Sequence, residues 1–213
     1  MTAIVLKDGA LEVELSSEDP EETLLTTGVS WQQYESLLVK LGDSSRYRVT
    51  YLEGVLEIMS PSRHHEVRKK NISRLLEVYF EETQTRFWGL GSTTFRRQVR
   101  QGGAELDECY CLGEEKDFPD LAIEVVITSG GVDKLEVYRR LGVREVWLWH
   151  NEQFSIHHLC GQRYDSMPRS ELLPNLNMAL LAEHVIIADP LQALLQYRQR
   201  IRQDVQQKKE DLA

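Results

Sequence analysis

The stretch that decides the fold is AELDECYCLGEEKDFPDLAIEVVITSGGVDKLEVYRR, residues Ala104–Arg140. Its centre, FPDLAIEVVI, is a nearly continuous apolar run, which is the pattern of a strand covered on both faces of its sheet. Glu124 interrupts this run. An ionised carboxylate in such a strand costs several kcal/mol unless a partner compensates its charge. A charge in the middle of a buried strand therefore predicts a functional site.

Strand geometry ranks the acids of this stretch as candidate metal ligands. Successive residues rise by about 3.3 Å, so Asp120 and Glu124 lie roughly 13 Å apart along one face of the strand. One ion cannot join them, because its ligand bonds are only about 2.1 to 2.5 Å long. Asp107 opens another short strand, Asp107–Leu112, and hairpin-like pairing would set it beside Glu124. The stretch therefore predicts a divalent-metal site at Asp107 and Glu124, supported from a second layer by Asp120.

A helix after the strand brings a lysine into the same unit. The chain turns at Thr-Ser-Gly-Gly, and Val132, Leu135 and Tyr138 then fall on one face of a helix. By this pattern Lys134 lies one turn into the helix, near enough to reach back over the strand. Its ammonium group could neutralise a phosphate or position water, so Lys134 is a candidate catalytic residue.

The rest of the chain alternates between helical and extended patterns. Ser30 caps a helix, and two alternating runs around Glu53-Gly54 predict a hairpin. A long helix is predicted from about 64 to 82. Because a strand, a helix and a strand follow one another, the strand at 144–149 should pair in parallel with the Glu124 strand. These patterns predict an α+β fold with an α/β-like core.

The long helix carries a second set of candidate residues. At 100° per residue, its inward apolar face continues toward the N-terminus through His65, Arg68 and Lys69. Such a polar continuation either extends beyond the core or lines the wall of a cleft. In the second case His65 would orient water or a ligand, and Arg68 or Lys69 would hold phosphate.

The central residues resemble a known family. The series PDLAIEV, then Asp133-Lys134, then Tyr138, then LGVREVWLW is similar to the restriction-endonuclease-like proteins of the Uma type, in the PD-(D/E)xK nuclease superfamily. The resemblance covers about 30–191. It implies a mixed β-sheet flanked by helices, and a Mg²⁺- or Mn²⁺-dependent endonuclease that hydrolyses phosphodiester bonds of nucleic acid, with DNA as the expected substrate.

The resemblance also implies roles for particular residues. Asp107 and Glu124 match the metal-binding acids, and Lys134 matches a catalytic lysine displaced into the following helix. A histidine near the start of the long helix recurs in the family and matches His65. The usual superfamily position for lysine, two residues after the glutamate, is Val126 in this chain.

Two other functions stay open. Val126 at the usual lysine position and the acidic net charge favour a catalytically inactive nuclease-fold module that binds nucleic acid or a protein partner. The third alternative is an unrelated structural α+β protein whose buried acids pair with Arg or His. A hydrogen bond between Glu124 and a buried guanidinium would favour this alternative.

Length and composition predict one sizeable domain in the cytoplasm. The chain has 213 residues, is 41% hydrophobic, and can build a core without disulfides. Three cysteines without metal-cluster spacing, no signal-peptide pattern and no long apolar run favour a reducing cytosol and no membrane partner. The net charge of −9 argues against a large nonspecific nucleic-acid footprint, but it is compatible with a local basic cleft.

Composition also suggests domain limits. Residues 1–26 are predicted to be a flexible or peripheral N-terminal arm, 27–205 a single domain, and 206–213 a frayed tail. The amphipathic helix predicted at 190–205 either caps the domain or pairs with a second copy of the chain. A homodimer is therefore a possible partner arrangement.

Overall fold

A computed structural model of the chain describes residues 3–7, 10–14, 21–42, 46–127 and 131–211, with the backbone alone described before residue 21. The described residues form five helices, namely α1 (Trp31–Leu41), α2 (Arg63–Thr83), α3 (Lys134–Leu141), α4 (Met178–Val185) and α5 (Pro190–Asp211). They also form thirteen strands, namely β1 (Ala3–Lys7), β2 (Ala10–Glu14), β3 (Glu22–Thr26), β4 (Arg48–Leu52), β5 (Val55–Ser60), β6 (Phe87–Gly89), β7 (Thr94–Arg97), β8 (Gly102–Glu105), β9 (Glu108–Leu112), β10 (Leu121–Val125), β11 (Glu145–His150), β12 (Gln153–Cys160) and β13 (Arg163–Met167). None of the helices in these ranges is long and apolar enough to cross a membrane.

The strands form two main sheets and a separate β1–β2 hairpin. The six-stranded sheet has the order β13-β12-β11-β10-β9-β6, and the five-stranded sheet has the order β3-β5-β4-β8-β7. Within the larger sheet, Ile123 of β10 lies opposite Trp147 of the parallel strand β11 and opposite Glu108 of the antiparallel strand β9. The predicted α+β class and the predicted parallel pairing are confirmed, whereas the single predicted sheet is divided into two.

The helices cover both sheets, and α3 contacts each of them. One apolar core joins α2, α4 and α5 to the face of the six-stranded sheet that carries Ile123 and Trp147. A second core joins Tyr138 of α3 to Ala122 of the six-stranded sheet and Ala104 of the five-stranded sheet. Helix α1 packs on β4 and β5 in a third core. The start of α3 is therefore held between the two sheets, next to β10.

The chain passes from one sheet to the other over two residues. β8 ends at Glu105 in the five-stranded sheet, and β9 begins at Glu108 in the six-stranded sheet. Between them Leu106 is fully buried. Continuing the β9–β10 register by one step puts Asp107 opposite Glu124. The two acids therefore have the side-by-side placement that strand pairing predicted.

Two local predictions beside the acids were wrong. β10 ends at Val125, and Ile127 is 37% exposed, although the apolar pattern extended the strand to Ile127. β10 loses its antiparallel neighbour at this end, because the chain next to it, at Leu106, is already crossing between β9 and the five-stranded sheet. In addition, Lys134 is the first residue of α3 rather than one turn into it, since the Asp133 side chain caps the helix.

Regular structure occurs in both predicted terminal segments. Strand β3, which the sequence placed in the arm at 1–26, pairs with β5 at the edge of the five-stranded sheet. Helix α5 continues to Asp211, so residues 206–211 of the predicted frayed tail are helical. The domain limits themselves stay predictions.

Helix α5 packs on α2, as a capping element would. Tyr197 and Ile201 are buried in the core, and Arg198 and Arg202 form ion pairs with Glu82 of α2. Two leucines at its start, Leu191 and Leu195, are 62% and 54% exposed. The apolar stripe therefore caps the domain over most of its length, and a homodimer stays a prediction.

Candidate functional site

The two strand acids are locked together by reciprocal hydrogen bonds. The Asp107 backbone N–H donates to Glu124 Oε1 at 3.1 Å, and the Val125 backbone N–H donates to Asp107 Oδ2 at 3.0 Å. Both side chains are buried. Each carboxylate is thus fixed by the backbone of the neighbouring strand, so the pair is preorganised before any ligand binds.

His65, at the start of α2, joins Asp107 to a third acid. Its Nε2 lies 2.9 Å from Asp107 Oδ1, and its Nδ1 lies 2.9 Å from Glu21 Oε2. Burial would lower the pKa of His65, but these hydrogen bonds to Asp107 and Glu21 outweigh it and raise the pKa to about 9. Burial likewise acts to raise the pKa of Asp107, but the bond to His65 keeps that pKa below its ordinary value. The raised pKa of His65 therefore favours an imidazolium ion, which lies between Asp107 Oδ1 and Glu21 Oε2.

Glu124 has the opposite electrostatic environment. Burial, and then the negative charge of Asp107, raise the pKa of Glu124 to about 7, and Lys134 only partly offsets them. The buried hydroxyl of Tyr138 lies near enough to lower the pKa of Glu124, but it forms no hydrogen bond of normal geometry. The carboxylate therefore carries negative charge that its surroundings do not fully compensate, which favours uptake of a proton or a cation.

Lys134 connects this site to the five-stranded sheet. Its Nζ lies 2.9 Å from Glu57 Oε1 and donates a hydrogen bond to Thr50 Oγ1 at 2.6 Å. Burial would lower the pKa of Lys134, but the charges of Glu124 and Glu57 raise it above its ordinary value. The side chain is therefore a fixed ammonium group beside the acid pair.

A small cavity opens beside these groups. It has a volume of about 80 Å³, and its polar lining comes from Glu21, Thr23, Glu57, Glu124 and Lys134, whereas Asp107 is not among its lining residues. This volume accommodates an ion with a few waters. A larger substrate would have to present one group to the cavity from outside.

Three of the predicted supporting residues have their contacts elsewhere. Arg68 donates to the carbonyl of Val185 at 3.0 Å, which ties α2 to the end of α4. Asp120 accepts from Lys116 Nζ at 2.7 Å, at the other end of β10 from Glu124. Lys69 is buried and pairs with a glutamate one turn before it on α2. None of these described contacts reaches Asp107 or Glu124. Roles for the three side chains in phosphate or metal binding therefore stay predictions.

Sequence reasoning missed four residues that contact the site, namely Glu21, Thr50, Arg48 and Glu57. Arg48 of β4 binds Glu105 at 2.5 Å, and its Nε lies 3.7 Å from Asp107 Oδ1. Glu57 of β5 holds Lys134. Glu57 did have a detectable signal, because it stands between apolar residues of a buried strand, as Glu124 does. Arg48 had no such signal, because it is the first residue of β4.

The structural alternative requires buried acids neutralised by Arg or His. Glu124 does not meet that condition, because it accepts its hydrogen bond from the backbone N–H of Asp107 and not from a guanidinium. Asp107 does meet it, through His65 and the nearby Arg48. The two acids therefore differ, and Glu124 is the one whose charge ordinary packing does not explain.

Gly131, in the turn before α3, provides the first test of this packing. Its φ is +126°, and a Cβ placed on it would lie 2.1 Å from Glu57 Oε2. We expect Gly131→Ala to lower the melting temperature by more than Gly113→Ala, since Gly113 also has a positive φ, +81°, but faces open space. Gly113→Ala should cost about 1 kcal/mol of unfolding free energy from backbone strain alone.

Thermal unfolding of the two variants in parallel measures the difference. If both melting temperatures fall equally, backbone strain accounts for the whole effect, and the approach of the turn to Glu57 has no energetic consequence.

Two multi-stranded sheets with flanking helices are consistent with a restriction-endonuclease-like fold. A family model described as Uma2, "Putative restriction endonuclease", matches residues 31–187, and the chain belongs to this family. The comparison with curated proteins gave no match. Family membership supports a nuclease-like function and confirms the resemblance noted in the sequence.

Proposed function

We propose that this chain is a Mg²⁺- or Mn²⁺-dependent endonuclease that hydrolyses phosphodiester bonds of nucleic acid, with DNA as the expected substrate. The observation that carries the proposal is the cross-strand pair of Asp107 and Glu124 with the Lys134 ammonium beside it. Hard oxygen donors and a fixed positive charge are the groups that metal-assisted phosphodiester hydrolysis needs.

Two carboxylates can serve as ligands of a divalent cation when water and substrate complete its coordination. Among the residues that the structure describes, no group of three or more His, Cys, Asp or Glu side chains is arranged to hold a metal ion. In this proposal Asp107 and Glu124 would supply the two carboxylates, and a backbone carbonyl near Val125, waters and substrate would supply the remaining ligands. Mg²⁺ commonly binds in this way, through one or two carboxylates plus water and phosphate oxygens. The raised pKa of Glu124 supports the fit, because a cation would compensate that carboxylate.

Each residue then has a definite task. Asp107 and Glu124 hold the ion, and His65 keeps Asp107 ionised and fixed in orientation. Lys134 holds its proton and presents an ammonium group to a non-bridging phosphate oxygen or to the attacking water. A divalent cation, when bound, lowers the pKa of water and offsets charge on the phosphate.

Plasmid cleavage tests the proposal directly. We expect purified protein with Mn²⁺ to convert supercoiled DNA to nicked and linear forms, and EDTA to stop the reaction. Asp107→Asn should reduce the rate by at least about a hundredfold, because even the loss of an outer partner of a metal ligand costs about 10- to 100-fold. Asp165→Asn, on the exposed part of β13, is the matched control and should cleave at the wild-type rate.

The proposal fails under two joint conditions. The first is that no DNA or RNA substrate is cut at any salt concentration with either ion. The second is that Glu124→Ala leaves Mn²⁺ binding, measured by calorimetry, unchanged.

The second candidate is an inactive nuclease-fold module that binds nucleic acid or a protein partner. Val126, at the usual lysine position, supports it, because Val126 lines the same small cavity and brings no charge there. Tight duplex binding without metal, unaffected by Asp107→Asn, would favour this candidate over an enzyme.

A further inference from the structure

Glu57 is a buried acid of the five-stranded sheet that uses both of its oxygens on the segment after β10. Its Oε1 lies 2.9 Å from Lys134 Nζ, and its Oε2 accepts from the Val132 backbone N–H at 2.8 Å. Val132 is 75 positions away in the chain. One carboxylate therefore fixes both the turn before α3 and the first side chain of that helix.

The neighbouring strand completes the hold on Lys134. Thr50 of β4 lies directly opposite Glu57 of β5, and Thr50 Oγ1 accepts from Lys134 Nζ at 2.6 Å. Glu124 belongs to the other sheet, and Asp107 lies in the crossing just before that sheet's strand β9. The position of the ammonium relative to the acid pair thus depends on contacts made across the gap between the two sheets.

The turn itself is shaped to fit Glu57. Gly131 approaches so closely that a Cβ would lie 2.1 Å from Glu57 Oε2. A side chain at position 131 would have to displace either the turn or the carboxylate. Gly131 and Val132 therefore have a defined position with respect to Glu57.

We propose that Glu57 is a positioning residue, which holds the Lys134 ammonium and the Gly131–Val132 turn at a fixed place beside Glu124. This inference rests on the proposed function, in which the Lys134 ammonium acts on a phosphate group or on water. Glu57 acts through Lys134 and is not itself a ligand of the metal.

The test reads Lys134 directly, without metal or nucleic acid. Lysines are reductively methylated with ¹³C, the Lys134 signal is assigned by its loss in Lys134→Arg, and its titration is followed by NMR. Glu57→Gln keeps the size of the side chain and an oxygen for Val132 N–H, but it removes the charge. We expect the midpoint of the Lys134 titration to fall by about one pH unit in Glu57→Gln. It should not change in Glu53→Gln, the control in the exposed turn of the same hairpin.

Two further readouts separate positioning from metal binding and from stability. In Glu57→Gln the Mn²⁺ dissociation constant should change by less than about threefold, while kcat for plasmid cleavage falls by about 10- to 100-fold and KM changes little. A lower melting temperature with an unchanged Lys134 titration would mean that Glu57 is only structural, and would overturn the inference.

The two proposals fail in different ways. If wild-type protein cleaves no substrate, the endonuclease assignment is wrong, and the Lys134 titration still decides whether Glu57 positions that ammonium. If wild type cleaves and Glu57→Gln cleaves equally well, the function stands and the positioning role is refuted. Should Glu57→Gln fail to fold, Thr50→Val removes the other contact of Lys134 and serves as the second variant. If the Lys134 titration and kcat are both unchanged in Thr50→Val, the five-stranded sheet does not fix the position of Lys134.

Discussion

Replacing Glu124 with glutamine is expected to stabilise the metal-free protein at pH 8 and, at the same time, to abolish its stabilisation by Mn²⁺. The pKa of Glu124 is raised from 4.5 to about 7 by burial and by Asp107, so the folded state holds its proton more tightly than the unfolded chain does. The unfolding free energy contributed by this group therefore falls as the pH rises from about 4.5 to 7, and it stays low above that range. Glutamine is neutral at every pH and removes this cost.

The melting temperature measures both effects. At pH 8 without metal, Glu124→Gln should melt roughly 5 °C above wild type, and the difference should shrink toward pH 5. Mn²⁺ at 100 times its dissociation constant should stabilise wild type by about 2.7 kcal/mol. In Glu124→Gln this stabilisation by Mn²⁺, seen as a rise in melting temperature, should be absent. For wild type the stabilisation by Mn²⁺ should grow as the pH rises toward 7, since the ion competes with the proton on Glu124.

Glu108→Gln is the matched control for Glu124→Gln. Glu108 is buried one residue from Asp107, and burial raises its pKa too, but its ion-pair partner is Lys70. The Mn²⁺ shift should persist in this variant. Retention of the full Mn²⁺ shift in Glu124→Gln would refute the assignment of Glu124 as a metal ligand.

Replacing Arg48 with methionine is expected to destabilise the protein by about 3 to 5 kcal/mol, the usual cost of leaving a buried charge without its partner. Arg48 is 3% exposed and forms ion pairs with Glu105 at 2.5 Å and Glu66 at 3.2 Å. Burial raises the pKa of Glu105 even with Arg48 present. Loss of the guanidinium would therefore leave Glu105 without its ion-pair partner, while Asp107 would keep its contact with His65.

Urea unfolding followed by circular dichroism measures this loss. Arg163→Met is the control, because Arg163 is 80% exposed and pairs only with Asp165 among the contacts described; its effect should be within about 0.5 kcal/mol. Adding Glu105→Gln to Arg48→Met should restore part of the loss, since the unpaired acid is then neutral. An Arg48→Met effect as small as that of Arg163→Met would show that the buried ion pairs do not stabilise the fold.

Local patterns were sufficient to predict the element that carries the acids. Glu124 in an apolar run indicated a buried strand with a charge, and the short polar loop after Leu112 indicated a hairpin with Asp107 at its start. Ser30 was correctly placed as a helix cap. Each of these features depends on residues close together in the chain, where periodicity and capping rules apply.

Contacts between distant elements could not be predicted in the same way. Glu57 and Lys134 belong to different layers, and no spacing in the sequence shows that β5 lies opposite the start of α3. The wheel of α2 placed His65 on an inward face, but its two carboxylate partners come from the crossing before β9 and from the segment before β3. The division into two sheets was missed because the crossing between them uses only Leu106 and Asp107, and no Gly or Pro marks a break between the two strands.

That two-residue crossing limits how the chain can change in length. Strand side chains alternate between faces, so one inserted residue between Glu105 and Glu108 would reverse the facing of the side chains of β8 or of β9, or move Asp107 off Glu124. A loop elsewhere can absorb such an insertion, as at Glu114 and Glu115, where the chain is exposed between β9 and β10. Deletions and insertions among natural relatives should therefore accumulate in that loop, while the distance from β8 to β9 stays constant.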